Sequence, residues 1–312
     1  MKILTPVLVA ATLCFGCGQA KKQPQKPVHA RNAAPLFHYG NPVLLQYDQY
    51  VNQLDTEARQ SGYMAVQQFE RLFKNQPPEV CDTALYIFND FHSQLCLFLN
   101  ARMEKDSINY DDLVTEEING HKPVLSKKQK AIAKALTANG FSLNSEEGMA
   151  YIEQDQHFIV EHFGKHITPV MKQYLVQLGK EQKEGLVDDG GLTITPQILV
   201  DRTVWWEQFA KVNPHFLYAN TIQDKYNSLM YLLMAGTDNT SVREYTNDST
   251  VVDSLSDYYN TAWSHLHEKY ALSATNAVIY PYFVAWQKKD TAEISKIYDA
   301  FMKKNGWDDG TD

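Results

Sequence analysis

Asp155, His162 and His166 come nearest, by type and spacing, to a set that could do metal chemistry. If their segment is helical, residues four apart share a face, and two imidazoles can chelate one divalent ion from a single helix. Asp155 falls on the same stripe two turns earlier, which leaves a further ligand to water or another element. A metal-binding protein or metal-dependent hydrolase centred on His162 and His166 is what such a set would make. The other reading is a pair of edge-of-core histidines with ordinary hydrogen bonds, since Ile152, Ile159, Phe163 and Ile167 mark the adjoining apolar face. The spacing lacks the Glu directly after the first His that a zincin helix carries. A second set is aromatic. Trp205, Trp206, Tyr218 and Tyr226 offer a platform for a sugar or peptide, or else plain core at helical spacing.

Other chemistries find no residues here. The run Asp188-Asp189-Gly190-Gly191 lacks the alternating oxygen ligands of a calcium loop and reads as a solvated turn. There is no Gly-x-Ser-x-Gly elbow, phosphate loop or dinucleotide fingerprint, and no cofactor is expected. Cys81 and Cys96 lie on one expected helix. Fifteen residues of rise separate them by roughly 22 Å, too far for a disulfide, so both read as free thiols. The formal charge of −8, with no basic stripe, excludes a nucleic-acid partner.

The N-terminus speaks to location. Met1-Lys2, an apolar run from Ile3 to Phe15, and then Gly16-Cys17 form an export signal. A small residue before cysteine resembles the bacterial lipoprotein signal, although Cys14 stands where that family prefers Leu. The resemblance implies cleavage before Cys17, lipidation of Cys17, and anchoring to the outer membrane on its periplasmic or outer side. An ordinary cleaved signal is the alternative. Residues 18–40, rich in Lys, Gln, Pro and Ala, read as a flexible tether. Five tripeptides, Asp82-Thr83-Ala84, Asp106-Ser107-Ile108, Asp248-Ser249-Thr250, Asp253-Ser254-Leu255 and Asp290-Thr291-Ala292, are similar to the O-glycosylation sequon of Bacteroidota envelope proteins. Helix capping explains some of them equally well, Asp290 above all.

Apolar residues recur with helical period from Pro42 onward. Helices are expected from Pro42 to about Asn75 with a break near Ser61-Gly62, over Glu79–Met103, and from Ser126 to Asn139. The longest runs from Glu146 to about Gln182 with a kink at Pro169. Residues 183–195 read as a linker between two helical halves, 41–182 and 192–307. Helices then follow from Thr195-Pro196 to Val212, over His215–Ala235, Val251–Tyr270 and Ser273–Gln287, and from Asp290 to Asn305. About nine helices packed as antiparallel hairpins make an all-α fold.

The C-terminal half contains a repeat. A shift of 57 residues places Trp206 on Trp263, Phe209 on Leu266, Ile222 on Ile279, Tyr226 on Phe283 and Leu229 on Trp286. The breaks within the two copies, Asn213-Pro214 and Tyr270-Ala271-Leu272-Ser273, share between them the Tyr, Pro and Ser of a turn signature. They resemble the inter-helix turns of tetratricopeptide-like lipoproteins of the bacterial envelope. That resemblance implies a helical binding or scaffold protein, with an envelope protein or peptide in a groove between the C-terminal hairpins. A periplasmic immunity or inhibitor protein would look the same in sequence.

Overall fold

The computed structural model describes residues 40–312 other than 57, 59, 116–122, 147, 246–250 and 308–312. The signal, Cys17, nearly all of the tether and the tripeptide 248–250 lie outside the described residues.

Helix starts follow local chemistry closely. Asn41 caps α1 (Pro42–Asn52) by accepting from the Val43 N–H, with Pro42 in the first turn, where its missing N–H costs nothing. Helix α2 (Ser61–Phe73) begins at the expected break. Its Gly62 is needed for close approach, because a Cβ there would sit 2.6 Å from the Asn139 carbonyl oxygen. Helix α3 (Pro78–Met103) carries both cysteines, which are free. Short α4 (Asp111–Val114) precedes α5 (Lys127–Thr137), which opens on a full capping box between Ser126 and Gln129.

The long helix expected over 146–182 does not form. Its first third joins the preceding residues as an antiparallel hairpin, β1 (Phe141–Glu146) and β2 (Met149–Gln154), with Leu143 opposite Ile152. Gly148, at a φ of +80°, makes the turn, and Gly140, also at +80°, directs the chain out of α5. Burial alternates along the first part of β2, with Met149 and Tyr151 exposed on one face and Ile152 buried on the other. Helix α6 (Gln156–Phe163) then starts on Asp155, and α7 (Pro169–Glu184) starts on Thr168 with Pro169 in its first turn, so that proline begins a helix instead of kinking one. The Thr168 N–H and hydroxyl are themselves held by Asp82 of α3 at 2.9 and 2.6 Å.

Residues 187–192 form a tiny hairpin, β3 (Val187–Asp188) and β4 (Gly191–Leu192). Two helical hairpins follow. Helices α8 (Pro196–Val212) and α9 (Ala219–Ala235) make the first; α10 (Asp257–Lys269) and α11 (Ala274–Lys288) make the second. Strands β5 (Arg243–Tyr245) and β6 (Val251–Leu255) pair between them, and α12 (Thr291–Asn305) closes the chain on the Asp290 cap. The described residues therefore hold twelve helices and three small hairpins, an all-α fold with more breaks than the sequence indicated. The described residues from Asn41 onward pack as one unit.

The repeat partners occupy matching places. Trp206 and Trp263 are buried on α8 and α10, and Ile222 and Ile279 on α9 and α11. A buried aromatic side chain contributes roughly 1.5–3 kcal/mol through the water it sheds. Phe69, Phe73, Phe88 and Phe163 supply the same term at the other end of the molecule, with ring centroids 4.3 to 5.1 Å apart. Among them His92, fully buried, stacks between Phe88 and Phe141. Its Nε2 donates to the Asn139 carbonyl at 2.8 Å and its Nδ1 accepts from Gln154, which fixes the neutral tautomer. Burial pulls its pKa down to about 4.

Candidate functional site

The metal stripe expected at Asp155, His162 and His166 is not assembled. Asp155 is the N-cap of α6, its carboxylate accepting from the His157 and Phe158 N–H groups at 2.8 and 3.3 Å. His162 stays on α6, with Nδ1 3.5 Å from a Glu70 carboxylate oxygen and its ring on Phe158. Helix α6 ends at Phe163, so His166 falls in the following turn, off the stripe, its ring edge-on to Phe69. Burial, then Lys165, lowers the pKa of His166. No group of three or more His, Cys, Asp or Glu among the described residues is placed to hold a metal ion.

The aromatic set is also divided. Trp206 is 0% exposed and gives its Nε1–H to Glu181 at 2.6 Å. Trp205 stacks on Phe209, and Tyr218 stacks on Tyr174 while its hydroxyl accepts from Asn89 at 2.9 Å. Burial raises the Tyr218 pKa well above its ordinary value. These three rings serve packing. Tyr226 lines an open groove.

That site is a groove of about 470 Å³ between α9, α11 and α12. Tyr226, Met230, Val278, Pro281, Ile297 and Phe301 make it apolar, with Asn227, Lys304 and Asn305 among its polar members. The Tyr226 ring is fixed from behind, its hydroxyl 3.2 Å from Thr275 Oγ1, which donates in turn to Glu207 at 2.7 Å. Pro281 has no N–H to return to the Ala277 carbonyl, so that acceptor lacks its helical donor within the groove.

A larger cleft, about 1130 Å³, was not anticipated from the sequence. It lies among α3, the β1–β2 hairpin with the first residue of α6 that follows it, α7, the 183–193 segment, α8 and α9. Glu181, buried on α7, accepts from Trp206 and from Gln177 at 2.7 Å, and Lys225 Nζ stands 2.9 Å from its other oxygen as an ion pair without hydrogen-bond alignment. Arg202, 4% exposed, bonds Glu184 and the Gly185 carbonyl, each at 2.9 Å. On the opposite wall Asn100 seals the outer edge of β2, exchanging bonds of 2.7 and 2.8 Å with Ile152. Glu153 holds Asn144 and Ser142, and burial raises its pKa despite a bond from Gln182. Cys96 donates to the Ile152 carbonyl at 3.2 Å; burial, and then Glu153, push its pKa up to about 11, so the thiol stays protonated and unreactive at neutral pH.

No signal in sequence could have collected these residues, which come from six segments spread over 93–225. Only the buried charges gave a hint, since Glu181 and Arg202 sit at positions facing apolar neighbours. No helix among the described residues is long and apolar enough to cross a membrane. The chain matches no protein-family model, no curated protein and no solved structure.

Proposed function

We propose that this chain is an exported, lipid-anchored binding protein of the cell envelope. It holds an apolar peptide segment of another envelope protein in the groove between its C-terminal helices. The observation that carries this reading is the groove itself, an open apolar channel with Tyr226 fixed from behind and the Ala277 carbonyl left without its helical donor. Such a groove suits a segment that brings apolar side chains for the walls and a donor for the exposed acceptor. Paired helical hairpins that leave a groove between them also favour the tetratricopeptide-like resemblance, and the Gly16-Cys17 signal supports an anchor at Cys17 on the outer membrane.

Two measurements test the proposal. A photo-crosslinking residue in place of Ala300, on the groove wall, should capture a polypeptide partner in intact envelopes, and Tyr226→Ala should abolish that product. Metabolic fatty-acid labelling should mark the wild-type chain and miss Cys17→Ala. A Tyr226→Ala chain that crosslinks as well as the parent would remove the groove from the proposal; an unlabelled wild type would remove the anchor.

A further inference from the structure

The polar cleft has a chemistry of its own. It continues into two smaller clefts around the β1–β2 hairpin, sharing Asn100, Glu146 and Tyr151 with one and Ser145 and Asp188 with the other. Across this surface the cations are largely spent. Arg202 faces Glu184 and Lys225 faces Glu181, which leaves Lys183 as the one lining cation outside an ion pair among the described residues. The carboxylates are in excess. Glu104, Glu146, Asp188 and Asp189 line the three clefts with no cation at ion-pair distance among the described residues, and the chain as a whole carries −8.

Two further observations are independent of that charge. The first is a pair of buried atoms without hydrogen-bond partners, both on cleft-lining residues. Arg202 Nε is a donor without an acceptor, on a side chain more than nine-tenths buried, and Gln156 Oε1 is an acceptor without a donor. A missing acceptor and a missing donor among the lining residues of one cleft are what a main chain supplies, with its C=O and N–H groups. Both residues line the cleft, and the half-buried Gln156 side chain would turn to let a main chain meet its oxygen. The second is the rim, where Leu97 is 71% and Met149 66% exposed, with Tyr151 beside them.

We infer that this cleft is a second binding site, and that its occupant is a basic, amphipathic peptide segment of a partner protein. Lysine or arginine side chains meet Glu146, Asp188 and Asp189. An apolar residue covers Leu97, Tyr151 and Met149, and a main-chain amide satisfies Arg202 and Gln156. A polyamine would satisfy the charge but has no acceptor for Arg202, and an anionic ligand would be repelled by the unpaired carboxylates Glu146, Asp188 and Asp189.

The test uses the full chain in a zwitterionic detergent and a short fluorescent peptide of alternating lysine and leucine, followed by anisotropy. The peptide should bind, its glutamate–leucine counterpart should not, and affinity should fall as salt rises. Asp188→Lys and Glu146→Lys, both at exposed positions, should each weaken binding about tenfold, whereas Ala300→Glu in the C-terminal groove should leave it unchanged. Equal binding of the glutamate peptide would overturn the inference, as would indifference to both charge reversals. Displacement by spermidine at equal concentration would overturn it too, by showing that charge alone suffices. If a reversal variant loses its folded melting transition, the wild-type salt titration decides: binding that ignores salt is contrary to the proposal.

Discussion

The C-terminal groove and the polar cleft are built by opposite physics. The groove is walled by apolar side chains from three helices, α9, α11 and α12, with the Tyr226 hydroxyl satisfied from behind by Thr275. The cleft is walled by charges and amides from six segments, and its integrity rests on Glu181, Arg202 and His92, each of which must keep its partners in a place where water cannot replace them. An apolar wall tolerates change because contacts are many and individually weak. A buried polar wall does not, because one missing partner exposes the full desolvation cost of the group left behind. The neighbouring residues Asp201 and Arg202 show the same contrast on one helix. Asp201 is half-exposed and takes bonds from His265, Lys269 and Tyr270, which together hold its pKa below its ordinary value against the effect of burial. Solvent can stand in for any of the three. Arg202, turned inward, has no such substitute.

The largest effects should fall where both regions share a core. Trp206→Ala and Trp263→Ala should each cost about 3–5 kcal/mol in urea unfolding. The contrast is sharper with phenylalanine. Trp206→Phe removes a donor from buried Glu181, whereas Trp263→Phe frees only the Leu233 carbonyl. The first should exceed the second by about 1–3 kcal/mol, the cost of an underserved buried carboxylate. Equal losses would mean that Glu181 draws nothing from the indole.

Acid should separate the two regions next. His92 supports β2 through Gln154, and its pKa of about 4 lies below the ordinary histidine value of 6.5. The unfolded chain therefore binds a proton between those values that the folded chain refuses. Stability is complete above about pH 6.5 and declines as pH falls toward 4, by about 3 kcal/mol in all. Hydrogen exchange should show the β1–β2 hairpin loosening in that window before α11 and α12 do. In His92→Phe the decline should flatten, and an unchanged slope would assign it to other groups.

Arg202→Met should have a smaller effect, about 1–2 kcal/mol, because Glu184 is partly exposed and can be rehydrated when its partner goes. The smallest effect belongs to the groove. Ala300→Glu, on an exposed wall position, should move stability by less than about 0.5 kcal/mol in the same urea experiment while abolishing partner capture. A large destabilisation there would mark the groove wall as core.

Much of the helical framework was legible because its signals are local. Ser126, Thr195, Ser273 and Asp290 each cap the helix they precede, and each bond spans three residues. The placing of Cys81 and Cys96 on one helix rested on spacing alone. The β1–β2 hairpin was missed because its strands have six residues each, too short for alternation to outweigh the helical pattern running on into α6. The histidine stripe failed for a related reason. Its geometry assumed one continuous helix, and Gly164 ends α6 before His166.

By itself the sequence determined where many of the helices begin, α6, α7 and α10 aside, that they would be numerous, that the cysteines would stay apart, and that aromatic hairpins would repeat in the C-terminal half. These follow from hydrogen bonds and periodicities that span a few residues and act in any tertiary setting. Tertiary structure alone decided which aromatic rings would be core and which would face a groove. It also decided that Asp155 would cap a helix instead of joining a ligand set, and that Ser93, Glu153, Glu181, Arg202 and Lys225 would surround one cleft. Those outcomes depend on which faces meet across long loops of chain, and a meeting between residues 93 and 225 leaves no periodic trace in the order of the amino acids.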